Sequence, residues 1–325
     1  MYKTGLVIGK FLPPHRGHKL LIETACAQAE KVTVIVCDRV DQQIPGRLRA
    51  AWLRELHPSV EVKITEDDLD PNDSRGWAER TVACLGHPPD AVFTSESYGE
   101  VYAGYLGATH VSVDPERRRV PCSGHAILDD PFAGWSFLEP CVRAHFVRRI
   151  AVVGAESTGT TTMARALAAH YATTWVPEYG RTYAEEKQRR FGQARWRTDE
   201  FVHIATEQAR WEDQAARLAF RVLVCDTDPL ATAIWHERYV GCRSPQVEAI
   251  GANRSYSLYL LTDIDVAFVQ DGTRDGEELR GWMHRRFQDE LERRARPYVV
   301  LSGSHEQRLR RAVNEVDRLL TGGSR

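Results

Sequence analysis

The feature that most constrains the fold is a pair of segments in which a short apolar run leads into a glycine-containing loop and then into a helical pattern. The first loop is residues 9–18 (GKFLPPHRGH), and the second is residues 154–161 (GAESTGTT). A helix N-terminus that follows such a loop attracts phosphate groups, because its free backbone N–H groups and its dipole point at them. The chain is therefore predicted to contain two phosphate-binding sites of different kinds.

Apolar runs alternate with helical patterns through both halves of the chain. Residues 32–37 (VTVIVC) are continuously apolar, which is typical of a strand buried on both faces of a parallel sheet. Residues 18–30 have the spacing of a helix, and residues 140–149 are interpreted as a link between domains. Ser304 and Gln307 predict a capping box at the start of the last helix. The alternation indicates an α/β fold with two doubly wound parallel-sheet domains.

Composition excludes several classes of protein. The 325 residues include 43 Lys and Arg against 45 Asp and Glu, and a net charge of -2 argues against a nucleic-acid-binding surface. The run at residues 117–119 (RRR) is accordingly interpreted as a solvated face. The 7 cysteines form no C-x-x-C pair, and no apolar stretch approaches a membrane span or a signal peptide. We expect a soluble, cytoplasmic protein that binds small molecules and neither nucleic acid nor membrane; its oligomeric state is left open.

The first loop has the residues that nucleotidyl transfer needs. His15 and His18 lie one turn apart at a helix start, where they can donate to α-phosphate oxygens as charge builds in the transition state. Gly9 and Gly17 allow a close approach of the backbone, and Lys10 and Phe11 complete the predicted ATP site. The alternative is that the two histidines are structural. The string resembles the nucleotidyltransferase superfamily, whose signature is His/Thr-x-Gly-His after the first strand.

Further stretches resemble the NadR-type nicotinamide-nucleotide adenylyltransferases: residues 44–49 (IPGRLR), 72–74 (NDS), 93–99 (FTSESYG) and 113–115 (VDP). The resemblance implies that Trp77 lines a pyridine pocket, although a core tryptophan is equally consistent with the pattern. It also implies a second phosphate-binding signature, roughly S-G-T-x-I-R, which here begins Ser123-Gly124-His125. Leu128 stands where the family has an arginine. The cations that remain to replace that arginine are His125, Lys10, Lys19 and Arg119.

The second loop has the spacing of a Walker A phosphate loop. Its predicted ATP-binding residues are Gly154, Ser157, Thr158, Gly159, Thr160, Thr161 and Thr162. The Thr161 hydroxyl is expected to bind Mg²⁺, and Thr160 replaces the usual lysine. Residues 222–225 then form an apolar strand that ends in Asp226 and Asp228. We expect Asp226 to hold the magnesium and Asp228 to accept a proton from the substrate hydroxyl; the alternative is that both carboxylates are structural caps.

The rest of the second half resembles the ribosylnicotinamide kinase half of the same NadR family. The matching stretches are residues 176–181 (VPEYGR), 226–228 (DTD) with Trp235 and Tyr239, and 271–276 (DGTRDG). The resemblance implies that Glu178, Tyr179 and Arg181 line the nucleoside pocket. It also implies that Arg274 and Arg280 are lid cations that replace the missing lysine. A solvated helix charge is the alternative for Arg280.

Together these features predict a Rossmann-like nucleotidyltransferase domain at residues 1–140 and a P-loop nucleoside kinase domain at residues 141–325. The resemblance implies a bifunctional NAD salvage enzyme with ATP and Mg²⁺, which converts nicotinamide riboside to its mononucleotide (NMN) and NMN to NAD. One alternative is the same scaffold acting on another nucleoside-like substrate. The other is a nucleotide-sensing binding protein with one inactive domain. Some family members carry a DNA-binding segment ahead of the first strand, and we expect no repressor role here.

Overall fold

The computed structural model describes residues 1–192, 195–269 and 277–321. It divides the chain into two compact units, Met1–Arg143 and Ala144–Arg325. Each unit has a five-stranded sheet in which every neighbouring pair of strands is parallel. The predicted α/β class with two doubly wound parallel sheets is confirmed. The assignment of one activity to each unit stays a prediction.

The strands of the first unit are β1 (Tyr2–Gly9), β2 (Ala29–Asp38), β3 (Glu61–Glu66), β4 (Ala91–Thr94) and β5 (Thr109–Ser112). Its helices are α1 (Arg16–Gln28), α2 (Gly46–Leu56), α3 (Ser74–Leu85), α4 (Gly99–Leu106), α5 (Gly124–Asp129) and α6 (Pro140–Phe146), the last of which spans the sequence boundary between the units. The strand order is β3-β2-β1-β4-β5. Because the order reverses beside β1, a crevice opens at the carboxyl ends of β1 and β4, where open α/β sheets bind ligands.

The first helix ends earlier than its apolar spacing predicts. The pattern extends the helix to Glu30, but the structure ends α1 at Gln28 and begins β2 at Ala29. Ala29 pairs with Tyr2 in the parallel ladder. Its side chain packs so closely over Gly5 that a Cβ added at Gly5 would lie 2.9 Å from it. Pairing with β1 therefore outweighs the local helical pattern at this position.

The strands of the second unit are β6 (Arg148–Gly154), β7 (Trp175–Val176), β8 (Val222–Asp226), β9 (Leu258–Thr262) and β10 (Tyr298–Leu301). Its helices are α7 (Thr160–His170), α8 (Tyr179–Phe191), α9 (Thr198–Ala216), α10 (Pro229–Val240), α11 (Pro245–Ala252), α12 (Arg280–Arg293) and α13 (His305–Thr321). The order is β10-β9-β6-β8-β7. The phosphate loop thus leaves the central strand, with β8 and β9 on either side.

Two further expectations concern the last helix and the link between the units. The capping box is confirmed, since the Ser304 N–H donates to Gln307 Oε1 and the Gln307 N–H donates to Ser304 Oγ. The predicted link at residues 140–149 contains the boundary between the units, after Arg143, and most of it forms α6. Pro140 suits a first helical turn, and Cys141 and Val142 are buried, so this segment has its own reason to be helical.

Two kinds of feature are absent from the described residues. No helix among them is long and apolar enough to cross a membrane. Nor do they contain a group of three or more His, Cys, Asp or Glu side chains arranged to hold a metal ion. Any metal bound in this part of the chain would need ligands from a smaller protein set, from substrate or from water.

Candidate active sites

The first unit contains a cavity of about 690 Å³ at the carboxyl end of β1. The cavity brings together all of the residues that the sequence assigned to this site: Gly9, Lys10, Phe11, His15, Gly17, His18, Trp77, Ser123, Gly124 and His125. Leu128 lines the same cavity. Two segments more than a hundred residues apart in sequence therefore form one site.

The two histidines form a stacked pair at the start of α1. His15 is the N-cap, and its Nδ1 accepts a hydrogen bond from the Gly17 N–H at 3.1 Å. The ring centroids of His15 and His18 lie 3.8 Å apart, and the Phe11 ring meets His18 edge-on. Because Nδ1 of His15 is an acceptor, the neutral ring carries its proton on Nε2. That N–H is available to a ligand.

Both histidines are neutral at pH 7. Burial, and secondarily the charge of Arg117, lower the pKa of His15 to about 4. Burial also holds the pKa of His18 well below its usual value, with contributions from His15 and Arg117. The buried Nδ1 of His18 has no hydrogen-bond partner among the described residues. The pair can therefore act as uncharged N–H donors to phosphate oxygens.

The backbone of the first loop is held from two sides. Arg49 is fully buried and donates to the carbonyl oxygens of Lys10, Ile44 and Cys37. On the other side, a Cβ at Gly124 would lie 2.5 Å from the Leu12 carbonyl oxygen, so only glycine allows this approach. The predicted second signature is thus packed directly against the first loop.

The second unit has its own cavity, of about 480 Å³, at the carboxyl end of β6. The predicted residues that line it are Gly154, Ser157, Gly159, Thr160, Thr161, Thr162, Glu178 and Arg181. Gly159 is the N-cap of α7 and has a φ of 84°, a left-handed conformation that favours glycine. The loop therefore turns directly into the helix and directs its N-terminus at the cavity.

Thr158 shapes the loop and does not line the cavity. Its buried hydroxyl donates to the Ala155 carbonyl at 2.7 Å and also lies 2.7 Å from the Thr262 hydroxyl. Arg308, from α13, donates to the Thr158 carbonyl at 2.9 Å. Sequence reasoning missed this role of Arg308, because no local pattern links a residue of the last helix to a loop at the centre of the chain.

Thr161 and Asp226 form the predicted metal position. The Thr161 hydroxyl donates to Asp226 Oδ2 at 2.6 Å, and Asp226 ends β8 with almost no exposure. Burial raises the pKa of Asp226 above its usual range. Thr161 lines the cavity, whereas Asp226 lies outside the lining and is hydrogen-bonded to Thr161. A hydroxyl and a carboxylate are hard oxygen donors of the kind Mg²⁺ takes, together with water and substrate phosphates. The residues present therefore fit the metal.

Asp228 has a structural role, which corrects its predicted role as proton acceptor. It is fully buried and does not line the cavity. Its Oδ1 accepts from the Ala231 N–H at 2.8 Å, as the N-cap of α10, and its Oδ2 accepts from the Tyr259 hydroxyl at 2.8 Å. Both carboxylate oxygens of Asp228 thus already accept hydrogen bonds. The alternative interpretation of this residue, a structural cap, is the one that the structure supports.

Glu178 lines the cavity, whereas its neighbour Tyr179 does not. Burial, and next the charge of Asp226, raise the pKa of Glu178 to about 7. Its carboxylate makes no capping hydrogen bond at the start of α8. The Tyr179 hydroxyl instead lies 3.0 Å from His203 Nε2, and its ring packs on Trp211. The predicted contact of Tyr179 with substrate is therefore corrected to a packing role.

The two predicted lid cations have different outcomes. Arg274, with the rest of residues 271–276, lies outside the described residues. Arg280 is buried at the start of α12, donates to the Val266 carbonyl at 2.9 Å and does not line the cavity. The solvated alternative for Arg280 is therefore wrong, and its contact with ATP stays a prediction.

An aromatic wall in the second cavity was only partly anticipated. Trp235 and Tyr239 stack with ring centroids 6.1 Å apart, and Trp196 lies 5.5 Å from Tyr239. Arg238 lies over the first two rings and pairs with Glu156 of the phosphate loop at 2.9 Å. The positions of the tryptophans along the chain do not predict this wall, because the segment before α9, which contains Trp196, meets α10 only in the folded unit.

Comparisons with known proteins match part of the second unit by itself and also most of the chain. A family model described as "AAA domain" matches residues 149–308. The trifunctional NAD biosynthesis/regulator protein NadR of Escherichia coli (strain K12) is 32% identical over 295 residues, covering 83% of this chain and 71% of the relative. Its counterpart from Salmonella typhimurium is 31% identical over 293 residues, with the same coverage.

Solved structures resemble the whole chain in fold. A crystal structure of a NadR protein in complex with NAD and AMP-PNP has a TM-score of 0.78 at 22% identity, and it covers 100% of this chain and 98% of that one. A NadR protein in complex with NR gives the same TM-score and coverage at 21% identity. At this level of identity the likeness concerns the fold.

Proposed function

This chain belongs to the NadR family, and from that premise we propose that it is a bifunctional enzyme of NAD biosynthesis. The second unit phosphorylates the 5′-hydroxyl of nicotinamide riboside with ATP, giving NMN and ADP. The first unit transfers AMP from a second ATP to NMN, giving NAD and pyrophosphate. The observation that carries the proposal is that each unit has its own helix N-terminus opening onto its own cavity.

In the kinase reaction the phosphate loop holds the polyphosphate and the far end of the cavity holds the nucleoside. Trp196, Trp235 and Tyr239 offer aromatic faces to the cationic pyridine ring of nicotinamide riboside. Glu178 is the carboxylate that accepts the proton of the 5′-hydroxyl. Thr161 and Asp226 would hold the magnesium ion, which would supply neutralisation of the charge on the transferred phosphoryl group. Most of the rate comes from positioning and charge neutralisation.

In the adenylyl transfer a phosphate oxygen of NMN attacks the α-phosphorus of ATP, and pyrophosphate leaves. No covalent enzyme intermediate is needed. The Nε2–H of His15 and the ring of His18 stabilise the negative charge that grows on the α-phosphate oxygens. The half-buried Trp77 lines the same cavity, and its Nε1–H donates to the Asp70 carbonyl at 3.1 Å. This hydrogen bond orients the ring for contact with the pyridine.

The proposed function is tested by incubating the purified protein with ATP, Mg²⁺ and nicotinamide riboside, and measuring ADP, NMN and NAD separately. We expect all three, with NMN preceding NAD. NMN without NAD would identify a kinase whose first unit is inactive. Formation of neither NMN nor NAD would contradict the proposal and favour a nucleotide sensor or a different nucleoside-like substrate.

A matched pair of variants tests the proton acceptor. Glu178→Gln is expected to lower the kinase kcat by about 10²–10⁴-fold, because the amide cannot accept the hydroxyl proton. Asp228→Asn keeps a side chain that caps α10, so it is expected to retain kinase activity and lose only stability, by about 1 kcal/mol. Steady-state ADP production and thermal melting measure the two effects. The opposite pattern, with activity lost in Asp228→Asn and kept in Glu178→Gln, would restore Asp228 as the acceptor.

A further inference from the structure

We propose that Arg117 binds the β- and γ-phosphates of ATP in the first cavity and there replaces the missing cation at position 128. The inference rests on the proposed adenylyl transfer and names the residue that holds the leaving pyrophosphate. Arg117 lies in the run that the sequence suggested was a solvated face. The structure instead places it on the wall of the cavity that contains His15 and His18.

The other cations suggested by the sequence are already engaged or lie elsewhere. Lys10 lines the cavity, but its ammonium is 3.3 Å from the buried carboxylate of Asp67. Lys19 pairs with Glu139 at 3.2 Å and does not line the cavity. Arg119 is exposed and is also absent from the lining, as is Arg118. His125 lines the cavity and has a side chain that is 90% exposed, beside Asp129.

The ion pair of Arg117 is weak enough for a phosphate group to replace its present partner. Its guanidinium lies 3.3 Å from Glu96, and both side chains are about half exposed, at 45% and 51%. Ion pairs in such a setting are weak because water screens them. A triphosphate offers more negative charge than one carboxylate, and the planar fork of arginine binds two phosphate oxygens at once. The phosphate therefore displaces Glu96 when ATP enters.

The backbone explains why Arg117 faces the cavity while its neighbour does not. Asp114 accepts hydrogen bonds from the N–H groups of Arg119 and Val120, and its carbonyl accepts from the Arg117 N–H at 2.9 Å. Arg117 itself has a φ of 52°, in the left-handed region. This tight turn separates the three arginines, so that Arg117 lines the cavity while the side chain of Arg118 is 82% exposed and pairs with Glu116.

The charge of Arg117 affects the two histidines of the first cavity. It contributes to the lowered pKa of both His15 and His18. Its Nη1 also donates to the Cys122 carbonyl, and the Cys122 sulfur lies 3.3 Å from His15 Nδ1. The charge of Lys10, in contrast, contributes to the pKa values of Cys37 and Asp41. The cation on the histidine side of the cavity is therefore Arg117, next to where the α-phosphate is expected.

The test is the kinetics of NAD formation from NMN and ATP in Arg117→Gln, which keeps a donor for the Cys122 carbonyl, and in Arg117→Lys. For Arg117→Gln we expect kcat/KM for ATP to fall by about 10²-fold and pyrophosphate inhibition to weaken, while KM for NMN and kinase activity stay unchanged. Arg117→Lys should recover part of the loss. Arg118→Ala is the matched control and should behave as wild type.

Wild-type kinetics for ATP in Arg117→Gln would overturn the proposal. A loss that affects KM for NMN as much as KM for ATP, or that comes with a lower melting temperature of the first unit, would assign Arg117 a structural role and also overturn it. If the wild-type protein forms no NAD, the proposed function itself fails. Calorimetry with pyrophosphate then decides the role of Arg117, since weaker binding in Arg117→Gln supports it and equal binding contradicts it.

Discussion

His18→Ala is expected to abolish NAD formation from NMN and ATP, with a loss of about 10²–10³-fold or more in kcat, and to leave the kinase reaction unchanged. The imidazole of His18 stacks on His15 and contacts the Phe11 ring edge-on. Its removal deletes one hydrogen-bond donor to phosphate and also removes a ring contact that positions His15. Because the two cavities are lined by residues of different units, the kinase should not respond. Separate assays of NAD from NMN and of ADP from nicotinamide riboside measure both activities.

The control for this variant is His87→Ala, an exposed histidine of the same unit that lies outside the cavity. It should retain both activities. Loss of both activities in His18→Ala would contradict independent sites. Full NAD formation in His18→Ala would show that the stacked pair is structural, the alternative that the sequence left open.

Asp226→Asn is expected to have the reverse effect: kinase turnover falls by roughly 10³-fold, and NAD formation from NMN persists. The amide has the shape of the carboxylate and can still accept the hydrogen bond from Thr161, so the loop is preserved. What it lacks is the negative charge that a magnesium ion requires. The dependence of ADP production on Mg²⁺ concentration separates a weakened metal site from a damaged fold.

Asp289→Asn is the matched control, because Asp289 is an exposed carboxylate on α12 that does not line the cavity. It should leave the Mg²⁺ dependence unchanged. Unchanged kinase activity in Asp226→Asn would remove this residue from the metal site. Simultaneous loss of NAD formation from NMN would show instead that the substitution damages the whole protein.

Local signals predicted the parts of both sites that lie within one strand–loop–helix segment. The glycines and histidines of residues 9–18 and the loop at residues 154–162, except Thr158, line the cavities because chain neighbours keep their spacing in any fold. The acid at the end of β8 was ambiguous, since a carboxylate after a strand can bind metal or cap a helix. The structure assigns the cap to Asp228, which accepts from the Ala231 N–H through one oxygen and from the hydroxyl of Tyr259, a residue of another strand, through the other.

Contacts between distant segments had no such signal. Arg308 reaches the Thr158 carbonyl from the last helix, and Arg49 reaches the Lys10 carbonyl from α2. Both side chains are buried donors, and the loop atoms that they reach are backbone oxygens, which every residue has. A sequence pattern therefore cannot identify the partner, and only the packing of helix against loop does.

The amino-acid sequence by itself determined the fold class, the number of sheets and the place of the two phosphate loops, because apolar periodicity and glycine positions act locally along the chain. The tertiary structure alone decided which charges face each cavity. Arg117 and Arg118 are adjacent and chemically identical, yet a left-handed turn puts one on the cavity wall and the other in water. Local hydrogen bonds to Asp114 hold this turn. Which of its side chains faces a cavity depends on the distant segments that form the other walls, and residue type does not reveal them.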